Sequence, residues 1–437
     1  MTRPAVLAAL LAAGAASAAS PALAAPALLA HQAPLALDPA ATAWVLTSTA
    51  LVLLMTLPGL PLFYGGMVRK KNIISVIAQS AAAFAIVSVL WFLVGYSLSF
   101  GKGPDAVDGF VGGLQAAFLN GVTMQTAHSL LPGLPELLFV SFQMTFAIIT
   151  PALIAGAFAE RMKFSASLLF FALWHLIVYA PICHQVWGGG YLGSLGVLDF
   201  AGGAVVHVNA GVAGLVCALV LGPRHGFGRD NMAPANLVYS AIGTGLLLVG
   251  WLGFNAGSAG AADALAATAA FNTILAAGAA ALGWMTVEWF DRRRPTLLGL
   301  LSGVVGGLVA ITPAAGFVDP KGAFFIGLIA GPACYAGAVW LKHALKYDDS
   351  LDAFGVHGVG GIVGALLTGV FATTSVNALS EGASVWKQAL GLGGAIVWSA
   401  VGTFVVLMIC KFTTGLRVTK DQEVEGLDYT QHGEAIH

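Results

Sequence analysis

The chain has 437 residues, of which 58% are hydrophobic and only 9% charged, and its mean hydropathy is +0.86. Soluble domains carry about 25% charged residues because their surface faces water, so this composition excludes a soluble globular protein and predicts a membrane protein. The formal net charge of −1 provides no basic surface of the kind that binds nucleic acid, and we expect no nucleic-acid partner.

The N-terminal residues 1–24 have the layout of a secretory signal peptide. Arg3 precedes an alanine-rich apolar stretch from Ala5 to Ala19, and residues 22–24 fit a small-x-small cleavage site. Such a segment is removed from the mature protein, and its removal would leave the new N-terminus outside. An uncleaved first helix is the alternative.

Beyond residue 24, eleven stretches without Lys, Arg, Asp or Glu are long enough to cross a bilayer, which takes about 20 apolar residues. They are 39–68, 72–101, 137–159, 164–198, 200–223, 231–262, 264–287, 295–318, 322–341, 353–380 and 388–410. We therefore predict an all-α polytopic membrane protein with eleven transmembrane helices over residues 39–410. A cytoplasmic tail over residues 411–437 follows.

A twelfth uncharged stretch, residues 109–135, is predicted to be an external loop. It contains several glycines, two prolines and polar side chains such as Asn120, Gln125 and His128. Counting it as a span would also break the alternation of basic residues described next.

The basic residues predict the orientation. After the odd-numbered stretches come 15 of the 19 Lys and Arg residues: Arg69, Lys70, Lys71, Arg161, Lys163, Arg224, Arg229, Arg292, Arg293, Arg294, Lys342, Lys346, Lys411, Arg417 and Lys420. Only Lys102, Lys321 and Lys387 fall on the other side. Because basic loops stay in the cytoplasm, we predict an outside N-terminus and an inside C-terminus.

Two stretches show a weak internal repeat. The fifth reads VVHVNAGVAGLV around His207, and the tenth reads GVHGVGGIVGAL around His357. Relative to each histidine, a valine stands at −1 and glycines stand at +4 and +7. Since the two stretches run in opposite directions, they predict a 5+5 inverted repeat with one extra helix, an architecture common in transporters. Chance matches in glycine-rich helices are the alternative.

His207 and His357 are the first candidate functional residues, because polar groups at bilayer depth are costly and usually functional. An imidazole can donate through one nitrogen and accept through the other, and it can exchange a proton near neutral pH. Packing is the alternative for a buried histidine. A metal site is not expected, because Asp199 stands eight residues before His207, roughly 12 Å along a helix.

Asp199 opens the fifth stretch and is predicted to cap its helix, to attract a cation, or both. Aromatic residues near the same depth can hold a cation on their ring faces; they are Phe142, Phe146, Trp187, Trp251 and Phe254. Lipid-facing or packing roles are the alternative for these rings. The four cysteines lie far apart without a CxxC spacing, so we interpret them as small packed residues rather than as metal ligands or disulfides.

Several motifs together resemble the ammonium transporter family, whose animal branch includes the Rh proteins. They are FYGGMVRKKN (63–72), GAFAERMKFSA (156–166), HQVWGGG (184–190), DFAGGAVVHVNAG (199–211), GFNAGSAG (253–260) and FGVHGVGG (354–361). The tail motifs GLRV (415–418) and EGLD (425–428) resemble the bacterial Amt branch. The resemblance covers roughly residues 40–437.

The resemblance implies an ammonium channel or transporter and assigns a role to each candidate residue. Phe146, Trp187 and Ser258 would recruit ammonium outside, with Asp199 needed for recognition and local fold. Phe146 and Phe254 would form a phenyl gate. Below it, His207 and His357 would line a narrow hydrophobic pore that conducts ammonia after the ammonium ion has lost its proton. The proton would either cross the membrane separately or not cross it.

The resemblance further implies a homotrimer in the lipid bilayer, with a trimeric PII-type signalling protein binding the cytoplasmic face, and no cofactor. An ammonium sensor is an alternative, although a sensor would carry a signalling domain and only 27 residues follow the eleventh stretch. A neutral Rh-like gas channel is another. An enzyme is not expected, because neither a nucleophile–base pair nor a metal set is evident.

Overall fold

A computed structural model describes residues 36–436, and the predicted signal peptide (1–24) lies outside these residues. The described part is α-helical, with two isolated β-bridges. Its long helices are α1 (Pro39–Met67), α2 (Lys70–Phe100), α3 (Glu136–Phe158), α4 (Phe164–Ser194, interrupted at 187–190), α5 (Gly203–Leu221), α6 (Leu237–Gly257), α7 (Ala264–Arg292), α8 (Leu297–Ile311), α9 (Pro320–Leu345), α10 (Phe354–Phe371) and α11 (Val385–Thr413). Two short helices, α12 (Lys420–Glu425) and α13 (Leu427–His432), form the tail.

Ten of these helices, all except α8, are long and apolar enough to cross a membrane. Each of the eleven predicted stretches contains one helix, but α8 has only 15 residues, about 22 Å of helix. The rest of its stretch, from Thr312 to Val318, is buried non-helical backbone. Such backbone is tolerated at membrane depth only inside protein. Between α2 and α3 the described residues form turns and one 3₁₀ turn, so 109–135 adds no long helix.

Several helices begin at polar capping residues. Asp38 caps α1, Asn236 caps α6 and Asp263 caps α7, each accepting hydrogen bonds from backbone N–H groups of the first turn. Asp319 caps α9 in the same way. Helices α7 and α11 continue past charged residues at which the uncharged stretches ended. In α7 the first of these residues, Glu288, is buried, and its carboxylate accepts hydrogen bonds from N and Oγ1 of Thr296 at 3.0 and 2.9 Å.

Helices α5 and α10 both begin with a π-helical turn that contains one of the two predicted histidines. His207 lies in the turn Gly203–Val208, and His357 lies in the turn Phe354–Gly358. A π-helical turn widens the helix locally and is frequent at functional sites. The two histidines are therefore carried by the same kind of local backbone.

The glycines that follow these histidines allow α5 and α10 to cross in backbone contact. A Cβ on Gly211 would lie 2.2 Å from the nitrogen of Gly358, and a Cβ on Gly361 would lie 3.1 Å from the nitrogen of Val208. Residue numbers rise along one helix as they fall along the other, so the helices are antiparallel. This is the close approach that the glycine spacing predicts.

A buried ion network joins the ends of several helices, and we call this end of the bundle the basic end. Arg224 donates to both oxygens of Asp348, at 2.9 Å each, and lies 3.3 Å from Glu160. Glu160 also accepts from Arg69 at 2.7 Å. Each charge is paired and hydrogen-bonded, which is the condition under which burial of charge is tolerated.

The tail is docked on the basic end through backbone hydrogen bonds. Lys163 N donates to Leu416 O at 2.9 Å, and Val418 N donates to Arg161 O at 3.1 Å. Further along, the Asp428 carboxylate accepts from Ser75 N at 2.8 Å. The tail is thus an ordered part of this surface.

Candidate functional site

A cavity of about 360 Å³ opens at the end of the bundle opposite the basic end, and we call it the vestibule. Its lining includes four predicted residues that come from four helices or their ends: Phe146, Trp187, Asp199 and Ser258. These residues lie up to 112 positions apart in the chain. The fold therefore gathers a carboxylate, a hydroxyl and two aromatic rings around one space.

Asp199 caps α5 with its entire carboxylate. One oxygen accepts from Gly202 N and Gly203 N at 2.8 and 2.6 Å, and the other accepts from Ala204 N and Val205 N at 2.8 and 3.1 Å. Burial raises the pKa of this carboxyl and the four N–H donors oppose that rise. The carboxylate fixes the start of the turn that carries the first histidine, and it is not arranged as a metal ligand.

Trp187 and Ser258 are held by hydrogen bonds that orient their polar atoms. The indole Nε1 of Trp187 donates to Asp199 O at 2.8 Å, and the Ser258 hydroxyl donates to Phe254 O at 2.8 Å. Because its hydrogen is used in this way, the Ser258 oxygen has lone pairs left for a donor in the vestibule.

Aromatic rings lead from the vestibule towards the histidines. The ring centroid of Phe146 lies 5.8 Å from that of Trp187 and 4.2 Å from that of Phe254. Phe254 lies 5.9 Å from His207. Phe146 and Phe254 are at most 1% exposed, so in this structure their rings close the floor of the vestibule.

His207 and His357 are in contact at the centre of the bundle. Their Nδ1 atoms are 3.3 Å apart and their rings are nearly parallel, with centroids 5.3 Å apart. Beside them is an enclosed cavity of about 10 Å³, lined by apolar side chains and by both imidazoles. A space of this size holds about one water-sized molecule. His207 Nε2 is buried without a partner among the described residues, so it can bond a small polar molecule there.

The sequence identified Trp251 as a candidate aromatic residue but did not predict its contacts: it stacks on His207, with centroids 5.3 Å apart, and its Nε1 donates to Thr312 at 2.8 Å. A second feature was not anticipated from the sequence. At the basic end, Asp349 is buried and caps α10. A signal for Asp349 was present, because it precedes His357 by the same number of residues as Asp199 precedes His207.

The chain is similar throughout to proteins of one family. The sequence pattern of the "Ammonium Transporter Family" matches residues 43–436. An ammonium transporter of Bacillus subtilis is 48% identical over 410 residues, covering 91% of this chain and 98% of the relative.

Solved structures agree with the sequence comparison. The crystal structure of Saccharomyces cerevisiae Mep2 is 37% identical and has a TM-score of 0.82, with 89% of each chain covered. A solved structure described as a sensor Amt protein is 31% identical with a TM-score of 0.82, covering 90% of this chain and 98% of that chain.

Proposed function

This chain belongs to the ammonium transporter family, and we propose that it recruits ammonium in the vestibule and conducts ammonia past the two histidines. The proton released from ammonium passes to the histidine pair and crosses separately. The observation that carries this proposal is the order of the groups along one path: the vestibule, then the two phenyl rings in contact, then the imidazole pair. In this scheme Phe146, Trp187, Asp199 and Ser258 bind the ion, Phe146 and Phe254 gate the pore, and His207 and His357 line it.

The narrowness of the path near the histidines favours ammonia over ammonium. An ion that loses its water in an apolar passage suffers a large desolvation cost, and the cavity beside the imidazoles has room for only about one small molecule. Neutral ammonia passes at a much lower cost. Potassium can occupy a cation site in the vestibule but has no proton to release, so the same passage excludes it.

We expect ammonium, but not potassium, to evoke a current in proteoliposomes that contain the protein. If the proton crosses separately along the histidine pair, each ammonium transported moves one net charge. The measurement is solid-supported-membrane current together with methylammonium uptake, with protein-free vesicles as the control. Intact uptake without current would contradict the charge-moving form of the proposal and favour a neutral Rh-like channel.

Replacing Ser258 by alanine is expected to raise the KM for methylammonium about fivefold with little change in the maximal rate. The hydroxyl oxygen would accept a hydrogen bond from the bound ion, and losing such a bond in a partly exposed site costs about 1 kcal/mol. Concentration-dependent uptake measures both parameters. A variant at the exposed Thr268, Thr268→Ala, is the matched control because this hydroxyl bonds its own helix. An unchanged KM would remove Ser258 from the recruitment site.

We further propose the complete topology: eleven spans with α8 as the short one, an outside N-terminus, an inside C-terminus and the inverted repeat. The antiparallel crossing of α5 and α10 and their matching π-helical turns support the repeat. The ion network places Arg69, Arg161 and Arg224 at one end of the bundle, which supports a single cytoplasmic face in the inner membrane. Residues 1–24 as a cleaved signal peptide belong to the same proposal.

The family resemblance also leads us to propose a homotrimer regulated by a PII-type protein. The part of the tail that follows α11 (residues 414–436) and the loops at the basic end form one continuous surface, which supports the role of this surface as the receiving face. The similarity to a sensor Amt protein keeps an ammonium sensor as the second candidate function. Ammonium-evoked current together with methylammonium uptake in the proteoliposome assay would favour the transporter over the sensor.

A further inference from the structure

The internal repeat extends beyond the histidines and glycines to a second carboxylate. Asp199 stands eight residues before His207, and Asp349 stands eight residues before His357. Asp199 lies at the vestibule, whereas Asp349 follows α9 at the basic end, next to Asp348 of the ion network. The two ends of the path are therefore marked by equivalent acidic residues.

The two carboxylates make the same kind of contact. Asp349 accepts from Ala353 N at 3.1 Å through one oxygen and from Phe354 N at 2.7 Å through the other. These donors open α10, whose first π-helical turn holds His357. Asp349 is 1% exposed. Its carboxylate thus fixes the backbone that carries the second imidazole, as Asp199 does for the first.

The loop around Asp349 is held on both sides. Its neighbour Asp348 is bound by Arg224 at 2.9 Å and lies 3.7 Å from Arg161. On the other side, Asp352 has a left-handed backbone conformation, with φ +59°, and pairs with Lys342. With this loop anchored, a change at the Asp349 carboxylate acts mainly on the start of α10.

One difference separates the two caps. The Asp199 carboxylate accepts hydrogen bonds from four backbone N–H groups. The Asp349 carboxylate accepts hydrogen bonds from two backbone N–H groups. A protonated carboxyl has one oxygen that is a poor acceptor, so protonation removes about half of the Asp349 cap. The start of α10 is therefore more easily loosened than the start of α5.

We propose that Asp349 is a positioning residue that holds His357 in the pore, and that acid on the basic-end side weakens conduction by protonating its carboxyl. This inference rests on the proposed function, because it concerns the same pair of histidines. It makes the inner half of the path responsive to the pH of the compartment that receives ammonia.

The surroundings of Asp349 support titration close to physiological pH. Burial, together with repulsion from Asp352, raises the pKa of Asp349 to about 6, and Lys342 opposes this rise. The other charged or titratable groups near it are Tyr64 of α1, Arg161 after α3, Cys217 of α5 and Tyr347 of its own loop. The ionised form that accepts both N–H groups is present above about pH 6 and is lost as the pH falls through that value.

The test uses proteoliposomes with the basic end inside, a fixed external pH and an internal pH lowered from about 7.5 to 5.5. A group that titrates near pH 6 loses about three quarters of its ionised form over this range, so we expect the initial rate of wild-type uptake, measured before amine accumulates inside, to fall about fourfold. Asp349→Asn is expected to show a low initial rate that does not depend on internal pH. Asp352→Asn, which removes the repulsion, is expected to move the midpoint to lower pH.

Wild-type uptake with wild-type pH dependence in Asp349→Asn would overturn the inference. A second readout does not need transport: in ¹⁵N-histidine NMR spectra, Asp349→Asn is expected to shift the ring signals of His357. The matched control is Asp319→Asn, which alters the cap of α9. Unshifted His357 signals would also overturn the inference, whereas absence of uptake in the wild-type protein would contradict only the proposed function.

Discussion

Replacing Asp199 by alanine is expected to lower methylammonium uptake at least about 100-fold. The change deprives four N–H groups of their acceptor, and each unsatisfied buried donor costs about 1–3 kcal/mol. A rise of about 2.7 kcal/mol in the barrier to transport already corresponds to a 100-fold lower rate. The first π-helical turn of α5, which carries His207, would lose its anchor, and the vestibule would lose its carboxylate.

Two further variants separate the cap from the charge. Asp199→Asn keeps one acceptor oxygen without charge, and Asp199→Glu keeps the charge but displaces it. Asp319→Ala is the matched control, because it removes a helix cap from α9 at a residue that does not itself line the vestibule, and such caps contribute about 1 kcal/mol. Uptake in a transporter-deficient strain is the measurement, normalised to the amount of protein in the membrane. Wild-type uptake by Asp199→Ala would refute the assignment of the vestibule.

Replacing His207 by alanine is expected to lower uptake about 30-fold and to eliminate the ammonium-evoked current. The imidazole supplies polar atoms beside a small apolar cavity, and losing two hydrogen bonds of about 1 kcal/mol each corresponds to roughly this factor. His207→Ala also separates His357 from its partner nitrogen, which lies 3.3 Å away, and so interrupts any proton route along the pair.

His207→Gln distinguishes polarity from proton transfer. The amide can donate and accept hydrogen bonds but does not carry a proton near neutral pH, so partial uptake without current is the expected result. The exposed His343 at the end of α9 provides the control, His343→Ala, for which uptake and current should match the parent. If His207→Ala retained both at parental levels, the histidine pair would have no part in conduction.

The sequence predicted the long helices well because the formation of a long apolar helix depends on local composition. A run of about 20 uncharged apolar residues is sufficient evidence for most helices, and the structure has one helix in each predicted stretch. The prediction was least accurate for α8, whose helix ends at Ile311 although the uncharged stretch continues to Val318. Buried protein surroundings replace lipid around that segment, and composition does not reveal such surroundings.

The sequence was sufficient to identify the two histidines, Asp199 and the spacing of the glycines. Polar residues are costly to bury in apolar helices, so those that occur there are usually functional. Among 25 phenylalanines, however, the sequence pattern alone could not select Phe146 and Phe254, which required the family resemblance. Their pairing, 4.2 Å between centroids, depends on how α3 meets α6. The stacking of Trp251 on His207 likewise depends on how separate helices pack against each other.

Local composition is sufficient to identify the membrane class, the helices and the polar residues that are costly to bury. These properties depend on the free energy of transferring single side chains and short segments from water to hydrocarbon. The contacts between those residues emerge from the fold: the vestibule, the 3.3 Å contact between His207 and His357, and the cap that links Asp349 to α10. Such contacts depend on the close packing of distant segments, which no local pattern specifies.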